Sequence, residues 1–214
     1  MPSLDWQRFR KTYDTLDSSH RGLQKALIPS WMSRPESLSE RIENSAYGES
    51  PFEILEQVLE AFRWQPHESV LDLGSGAGNV CAYFAQRGLE AVGIERNPEL
   101  HRLATLYRES VPELSWELHL ADFLESDWPR VELVYTTSAR FTPSVLKALA
   151  QRVDTAKVVR AVACLGHPLP LSTEQWQTSV VAEPRVCWNA SEEAIPETLF
   201  VHKRTCLTDR SECI

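Results

Sequence analysis

The 214-residue chain is predicted to fold as a doubly wound α/β domain with a mostly parallel sheet. Residues 69–95 contain an apolar strand-like run, a Gly-rich turn, a helical segment and a second apolar run that ends on Glu95. Apolar runs and helical patterns then keep alternating as far as residue 164. Strand, glycine turn, helix, strand and acid in this order are typical of a nucleoside-binding unit, so we expect a ligand at the carboxyl ends of the strands.

The first elements come before the Gly-rich turn. Loosely periodic apolar residues predict a helix over 3–28, and the polar, Pro-containing segment 29–46 predicts a loop or short helices over the site. A second helix is expected to open at Ser50, because Ser50 can cap it, Pro51 fits a first turn and Glu53 would complete a capping box.

The later elements alternate in the same way. Asn97-Pro98 and Thr142-Pro143 are predicted to begin two further helices, since Asn and Thr cap helices and Pro suits the first turn. Apolar runs predict strands at 116–121, 131–136 and 157–164, followed by a closing pair at about 178–188 and 198–204.

The Gly-rich turn predicts which ligand is bound. Asp72 precedes Gly74, Gly76 and Gly78, whereas a dinucleotide fingerprint reads G-x-G-x-x-G and leaves its helix N-terminus clear for pyrophosphate. A carboxylate there repels phosphate and attracts an ammonium group. S-Adenosylmethionine carries an ammonium and no phosphate, and Glu95 suits its ribose hydroxyls, so the string indicates the first motif of a class I methyltransferase. A ligand-free glycine turn would explain neither acid.

Two residues after the third strand are predicted to complete the cofactor pocket. Asp122 can accept a hydrogen bond from the adenine amino group, and Phe123 can lie against the adenine face. The alternative is that Asp122 caps a helix and Phe123 belongs to the core.

Composition excludes some classes of function. A net charge of −8 and a pI near 5.3 argue against broad nucleic-acid binding, and they are compatible with a basic protein partner. Five scattered cysteines without a C-x-x-C pair predict reduced thiols in a cytoplasmic protein, and neither cysteine nor histidine spacing predicts a metal site. No apolar run approaches the roughly 20 residues of a membrane span, and no secretion signal is expected.

An ordered set of motifs resembles one family more specifically. Tyr47-Gly48-Glu49-Ser50-Pro51-Phe52 precedes the Gly-rich turn, and Ala121-Asp122-Phe123-Leu124 with Trp128, then Phe141-Thr142-Pro143, follow Glu95. Over about residues 45–204 this set is similar to the catalytic domain of the disruptor-of-telomeric-silencing family of non-SET histone lysine methyltransferases. Its Tyr-Gly-Glu element discriminates, because class I methyltransferases in general lack it.

The resemblance implies a seven-stranded, Rossmann-like class I methyltransferase sheet, mostly parallel with an antiparallel C-terminal strand. It implies a methyltransferase domain over 47–204, and we expect an N-terminal helical or loop cap over 1–46 and a C-terminal tail over 205–214. The methyl acceptor would be a protein lysine ε-amine.

The resemblance also implies site residues. A loop with Tyr47, Glu49 and Ser50 would close over the cofactor, and Trp188 would line a lysine channel. The family has an Asn-Asn pair where Thr137-Ser138 stand and paired tyrosines where Leu199-Phe200 stand. We therefore expect the acceptor channel to be lined by Thr137, Ser138, Trp188 and Phe200.

These departures leave three functions open. A protein lysine methyltransferase is the first, a small-molecule amine methyltransferase is the second, and a non-catalytic cofactor-binding or interaction protein is the third. Amide and nucleobase amine methyltransferases often carry Asn/Asp-Pro-Pro-aromatic after the fourth strand, which the segment 135–138 does not match.

Overall fold

A computed structural model of the chain describes residues 50–186 and 194–205. The expected helix over 3–28, the expected loop over 29–46 and most of the expected tail lie outside the described residues.

The described strands form a seven-stranded sheet of order β3-β2-β1-β4-β5-β9-β6 and a two-stranded sheet of β7 and β8. The strands are β1 Ser69–Leu73, β2 Glu90–Glu95, β3 Trp116–Leu120, β4 Leu133–Thr137, β5 Ala161–Leu165, β6 Trp176–Ala182, β7 Arg185–Val186, β8 Ile195–Pro196 and β9 Leu199–Arg204. Strands β1 to β5 pair in parallel, and β9 is antiparallel to both β5 and β6. The predicted doubly wound sheet with an antiparallel C-terminal strand is confirmed.

Four helices cover the two faces of the large sheet: α1 Phe52–Phe62, α2 Asn79–Gln86, α3 Pro98–Ser110 and α4 Pro143–Thr155. Apolar residues of α1, α2 and α3 pack in one core cluster with Val70 of β1 and Tyr135 of β4. Residues of α4 pack in a second cluster with Leu71 and Val134, on the opposite face. Both faces of the central strands are therefore buried, as parallel sheets require.

Local capping explains where α3 and α4 begin. The Asn97 side chain accepts from the N–H groups of Glu99 and Leu100, and Thr142 Oγ1 accepts from the N–H of Val145, as the sequence predicts. These caps satisfy N–H groups that a helix leaves unpaired in its first turn.

The capping prediction for α1 is wrong. Pro51 is the N-cap residue there and makes no side-chain cap, so the expected capping box of Ser50 and Glu53 does not form. The Ser50 hydroxyl is instead bonded to the side chains of Tyr135 and Thr137, in and at the end of β4. Ser50 therefore bonds to residues distant in sequence instead of capping α1.

Each helix within residues 50–186 and 194–205 is too short or too polar to span a membrane.

Candidate active site

Most of the predicted cofactor residues that the structure describes lie at the carboxyl ends of β1, β2 and β3. Gly74, Gly76 and Gly78 follow β1 with φ angles of 80°, 53° and 86°, values that L-residues with a side chain rarely adopt. A Cβ added at Gly74 would find no heavy atom of the described residues within 4 Å. Open space therefore lies beside the turn where a ligand is expected.

Asp72 is a buried carboxyl on β1 next to this turn. Its polar contact is with Cys81 Sγ, 3.8 Å from Oδ2, and within the described residues no Lys, Arg or His pairs with it. Burial, and then the charge of Glu95, raise the pKa of Asp72 to about 8, although the contact with Cys81 opposes the rise. A positively charged ligand group would remove this cost, which is what an ammonium offers.

Glu95 ends β2 and holds the glycine turn in place. Its Oε2 accepts from the Gly76 N–H at 2.9 Å, and its Oε1 accepts from the Asn97 N–H at 2.7 Å. Burial raises the pKa of Glu95, and these backbone hydrogen bonds oppose the rise. Each carboxylate oxygen can accept a second hydrogen bond, so acceptor capacity remains for two ribose hydroxyls.

Close packing of the turn against β2 depends on Gly93. A Cβ there would lie 2.6 Å from Ser75 Oγ, which real structures do not allow. Ser75 Oγ is itself buried and has no partner among the described residues. An unpartnered hydroxyl beside two buried carboxyls is a second indication of a polar ligand.

Asp122 and Phe123 follow β3, on the side of the site expected for adenine. Asp122 Oδ1 accepts from the Leu124 N–H at 2.8 Å, and its Oδ2 lies 3.7 Å from Arg96 Nη1. Trp128 Nε1 donates to the carbonyl of Phe123 at 2.8 Å. The sequence analysis did not predict the contact of Arg96 with Asp122, because the direction of a side chain that follows a strand end cannot be inferred from the strand pattern.

The Phe123 ring lies against Phe141, with ring centroids 5.7 Å apart. Both rings are half-buried and pack against the second core cluster. Phe123 thus has one aromatic partner and keeps exposed surface for another flat group.

Three hydroxyls meet where β4 ends. Tyr135 Oη donates to Ser50 Oγ at 2.6 Å, and Ser50 Oγ lies 3.2 Å from Thr137 Oγ1. Tyr135 and Ser50 are buried and Thr137 is half-buried. No sequence pattern predicts this contact, because a tyrosine within an apolar run is ordinarily interpreted as core.

Ser138 lies next to Thr137 but its hydroxyl is engaged. Ser138 Oγ donates to the His167 carbonyl at 2.6 Å and accepts from the His167 N–H at 2.9 Å. The side chain is fully buried. It joins the loops that follow β4 and β5, so the channel role of Ser138 stays a prediction that this placement does not favour.

Phe200 lies on the opposite face of the sheet from Thr137. Thr137 is aligned with Leu165 and Leu165 with Leu199, so Leu199 shares its row, whereas Phe200 packs against the second core cluster. The channel role of Phe200 stays a prediction that this placement does not favour. Three further site predictions, Tyr47, Glu49 and Trp188, lie outside the described residues.

The residues present fit S-adenosylmethionine. Two buried acids, an open glycine turn and an unpartnered serine hydroxyl match its ammonium and ribose. No group of three or more His, Cys, Asp or Glu within the described ranges is arranged to hold a metal.

Comparison with known proteins agrees with this geometry. The model of the family described as "Histone methylation protein DOT1" matches residues 33–118, less than half of the chain. A protein of Synechocystis sp. named as an uncharacterized methyltransferase is 32% identical over 97 residues, which are 44% of this chain and 44% of that protein. The chain therefore spans less than half the length of this curated relative. The family match confirms the resemblance.

Solved structures of low sequence identity share the fold. The 23S rRNA methyltransferase ErmE matches with a TM-score of 0.57 and 16% identity, over 77% of this chain and 73% of that one. A dimethyladenosine transferase from Plasmodium falciparum matches with a TM-score of 0.59 and 9% identity, over 74% and 63%. The chain has the class I methyltransferase fold, for which S-adenosylmethionine is the cofactor.

Proposed function

We propose that the protein transfers a methyl group from S-adenosylmethionine to the ε-amine of a protein lysine. Binding of S-adenosylmethionine is supported above all by Asp72. This buried carboxyl has no cationic partner among the described residues and lies beside the open space at Gly74. The lysine acceptor is supported by the match to the histone methylation family over residues 33–118.

Each part of the cofactor half has a separate task. Asp72 takes the ammonium group, because an ion pair inside the protein compensates for burying its charge. Glu95 accepts from the ribose hydroxyls while its backbone bonds hold the turn. Asp122 accepts a hydrogen bond from the adenine amino group, and Phe123 packs against the adenine face.

The chemistry asks for alignment more than for acid–base groups. S-Adenosylmethionine held by Asp72 and Glu95 would supply a methyl group on a positively charged sulfur, which a neutral lysine amine could accept. The lysine must present a free lone pair, so apolar surroundings that disfavour its cation assist the reaction. The chain contributes by holding both partners in line and by excluding water.

The acceptor half is built on the end of β4. Thr137 is a half-buried hydroxyl there, and it follows Thr136, which is aligned with Leu73, the residue before Gly74. An amine held at Thr137 would thus stand beside the glycine turn. Ser138 keeps this segment rigid through His167.

Methyl transfer can be tested directly with tritiated S-adenosylmethionine and the full chain. The acceptors to compare are purified core histones, a fractionated lysate and the small-molecule fraction of that lysate. We expect label in protein, released as methyl-lysine on acid hydrolysis. Label confined to small molecules would contradict the lysine assignment.

The control is Glu95→Gln, which keeps the size of the side chain and removes its charge. It should lose label in every fraction, because cofactor binding weakens. Calorimetric binding of S-adenosylmethionine without transfer to any fraction would contradict the enzymatic proposal and favour a cofactor-binding role.

A further inference from the structure

The hydroxyl of Tyr135 is not explained by core packing alone. Its ring packs edge-on against Phe84, with centroids 6.1 Å apart, and the side chain is fully buried. A phenylalanine would supply the same packing. The hydroxyl adds the 2.6 Å bond to Ser50 and also interacts with the side chain of Thr137.

The bond from Tyr135 to Ser50 determines the direction of the hydrogen bond between Ser50 and Thr137. A serine hydroxyl has one proton, and because Tyr135 donates to Ser50 Oγ, that proton stays free for Thr137 Oγ1, 3.2 Å away. Thr137 then keeps one lone pair and its own proton for a group outside the chain of hydroxyls. The remaining lone pair can accept from an amine N–H and leave the nitrogen lone pair free.

The position of the chain connects the two halves of the site. Tyr135 is aligned with Asp72 across β1 and β4, and Thr137 lies two residues further along β4, just beyond the pair of Leu73 and Thr136. The hydroxyls therefore run from beside the buried acid to the half-exposed end of β4.

We propose that Tyr135 is a positioning residue that acts through Ser50 to orient the Thr137 hydroxyl toward the methyl acceptor. The inference rests on the proposed methyl transfer. Tyr135 touches neither cofactor nor acceptor in this assignment, so its removal should change turnover and leave cofactor affinity nearly unchanged.

A double-mutant cycle tests the inference, with tritiated cofactor and the lysate fraction that accepts label from the unaltered protein. Tyr135→Phe and Thr137→Val should each lower kcat about tenfold, which corresponds to about 1.4 kcal/mol of activation free energy. The double variant should lose no more than the worse single variant, because both break one chain. The Kd for S-adenosylmethionine should change less than about twofold.

Tyr83→Phe is the matched control. Tyr83 is another buried tyrosine, whose hydroxyl bonds to Glu56 on the α1 side of the core. Its loss should lower the melting temperature without changing kcat. If Tyr135→Phe melts far below the unaltered protein, Ser50→Ala breaks the same chain and takes its place in the cycle.

Failure of the Tyr135 positioning role and failure of the proposed methyl transfer give different results. Equal kcat of the unaltered protein and Tyr135→Phe, or multiplicative losses in the double variant, would overturn the positioning role and leave methyl transfer intact. No transfer by the unaltered protein to any fraction would overturn the proposed function, and this inference with it.

Discussion

Asp72 should make the stability of the unliganded protein fall as pH rises. Burial is the main cause that places its pKa at about 8 instead of 3.8, and the charge of Glu95 adds to the effect. The folded state thus binds a proton that the unfolded state has lost. The stability that the raised pKa provides is complete below about pH 4 and is lost as pH rises toward 8.

The magnitude follows from the displacement of the pKa. Each pH unit is worth about 1.4 kcal/mol, so ionising Asp72 in the folded protein costs on the order of 6 kcal/mol. Between pH 5 and pH 8 the loss amounts to about 4 kcal/mol, a large part of the 5–15 kcal/mol that holds a typical domain together. Asp72→Asn removes the titrating group and should not suffer this loss.

Urea unfolding of both proteins at pH 5, 6, 7 and 8 measures the effect. The stability of Asp72→Asn relative to the unaltered protein should grow by about 1 kcal/mol per pH unit, since the titrations of groups that do not interact with Asp72 cancel in the difference. A constant difference across this range would refute the reasoning.

The raised pKa of Asp72 should also make the affinity for S-adenosylmethionine depend on pH. An ammonium beside Asp72 favours its ionised form, so binding should release a proton and become tighter from pH 6 to pH 8, by at most about tenfold per unit. Calorimetry in two buffers of different ionisation enthalpy counts that proton. Uptake of a proton, or no exchange, would contradict the assignment of Asp72 to the ammonium.

Three further outcomes are expected. Glu95→Gln should weaken S-adenosylmethionine binding about ten- to hundredfold by calorimetry, because a charge-assisted bond is typically worth about 1.5–3 kcal/mol; equal affinity would contradict the ribose role. Gly166→Ala places a Cβ 2.3 Å from Ala139 Cα, so thermal unfolding should show a larger loss than Gly88→Ala, where the nearest contact is 3.4 Å; equal losses would mean that the loop yields freely. Trp188→Ala should stay folded, bind cofactor and lose transfer, whereas early melting with poor binding would identify a core residue.

The placement of the glycine turn and its two acids was predictable because these parts are local in sequence. The glycine turn and the acids at strand ends follow from one βαβ unit, and Glu95 bonds to Gly76 only 19 residues away. The caps of α3 and α4 were predictable for the same reason: each joins residues within one helical turn.

The acceptor half was less predictable because its contacts are distant in sequence. Ser50 was interpreted as a helix cap, yet its partner Tyr135 lies 85 residues away. Ser138 is engaged by His167, 29 residues later, in a loop whose length no motif specifies. Phe200 shows the effect of register, since successive strand residues point to opposite faces and Leu199 takes the face of Thr137.

The cofactor residues and the loops that follow β4 and β5 are held by separate contacts. A βαβ unit can keep its cofactor residues while distant loops change, because the bonds that hold Asp72 and Glu95 do not involve the loops after β4 and β5. The loops after β4 and β5 are joined to each other by Ser138 and by the close approach of Gly166 to Ala139. We expect a substitution in one loop to affect the other. We also expect the choice of acceptor to depend on these joined loops, so that variants at their contacts are where a change of acceptor should first appear.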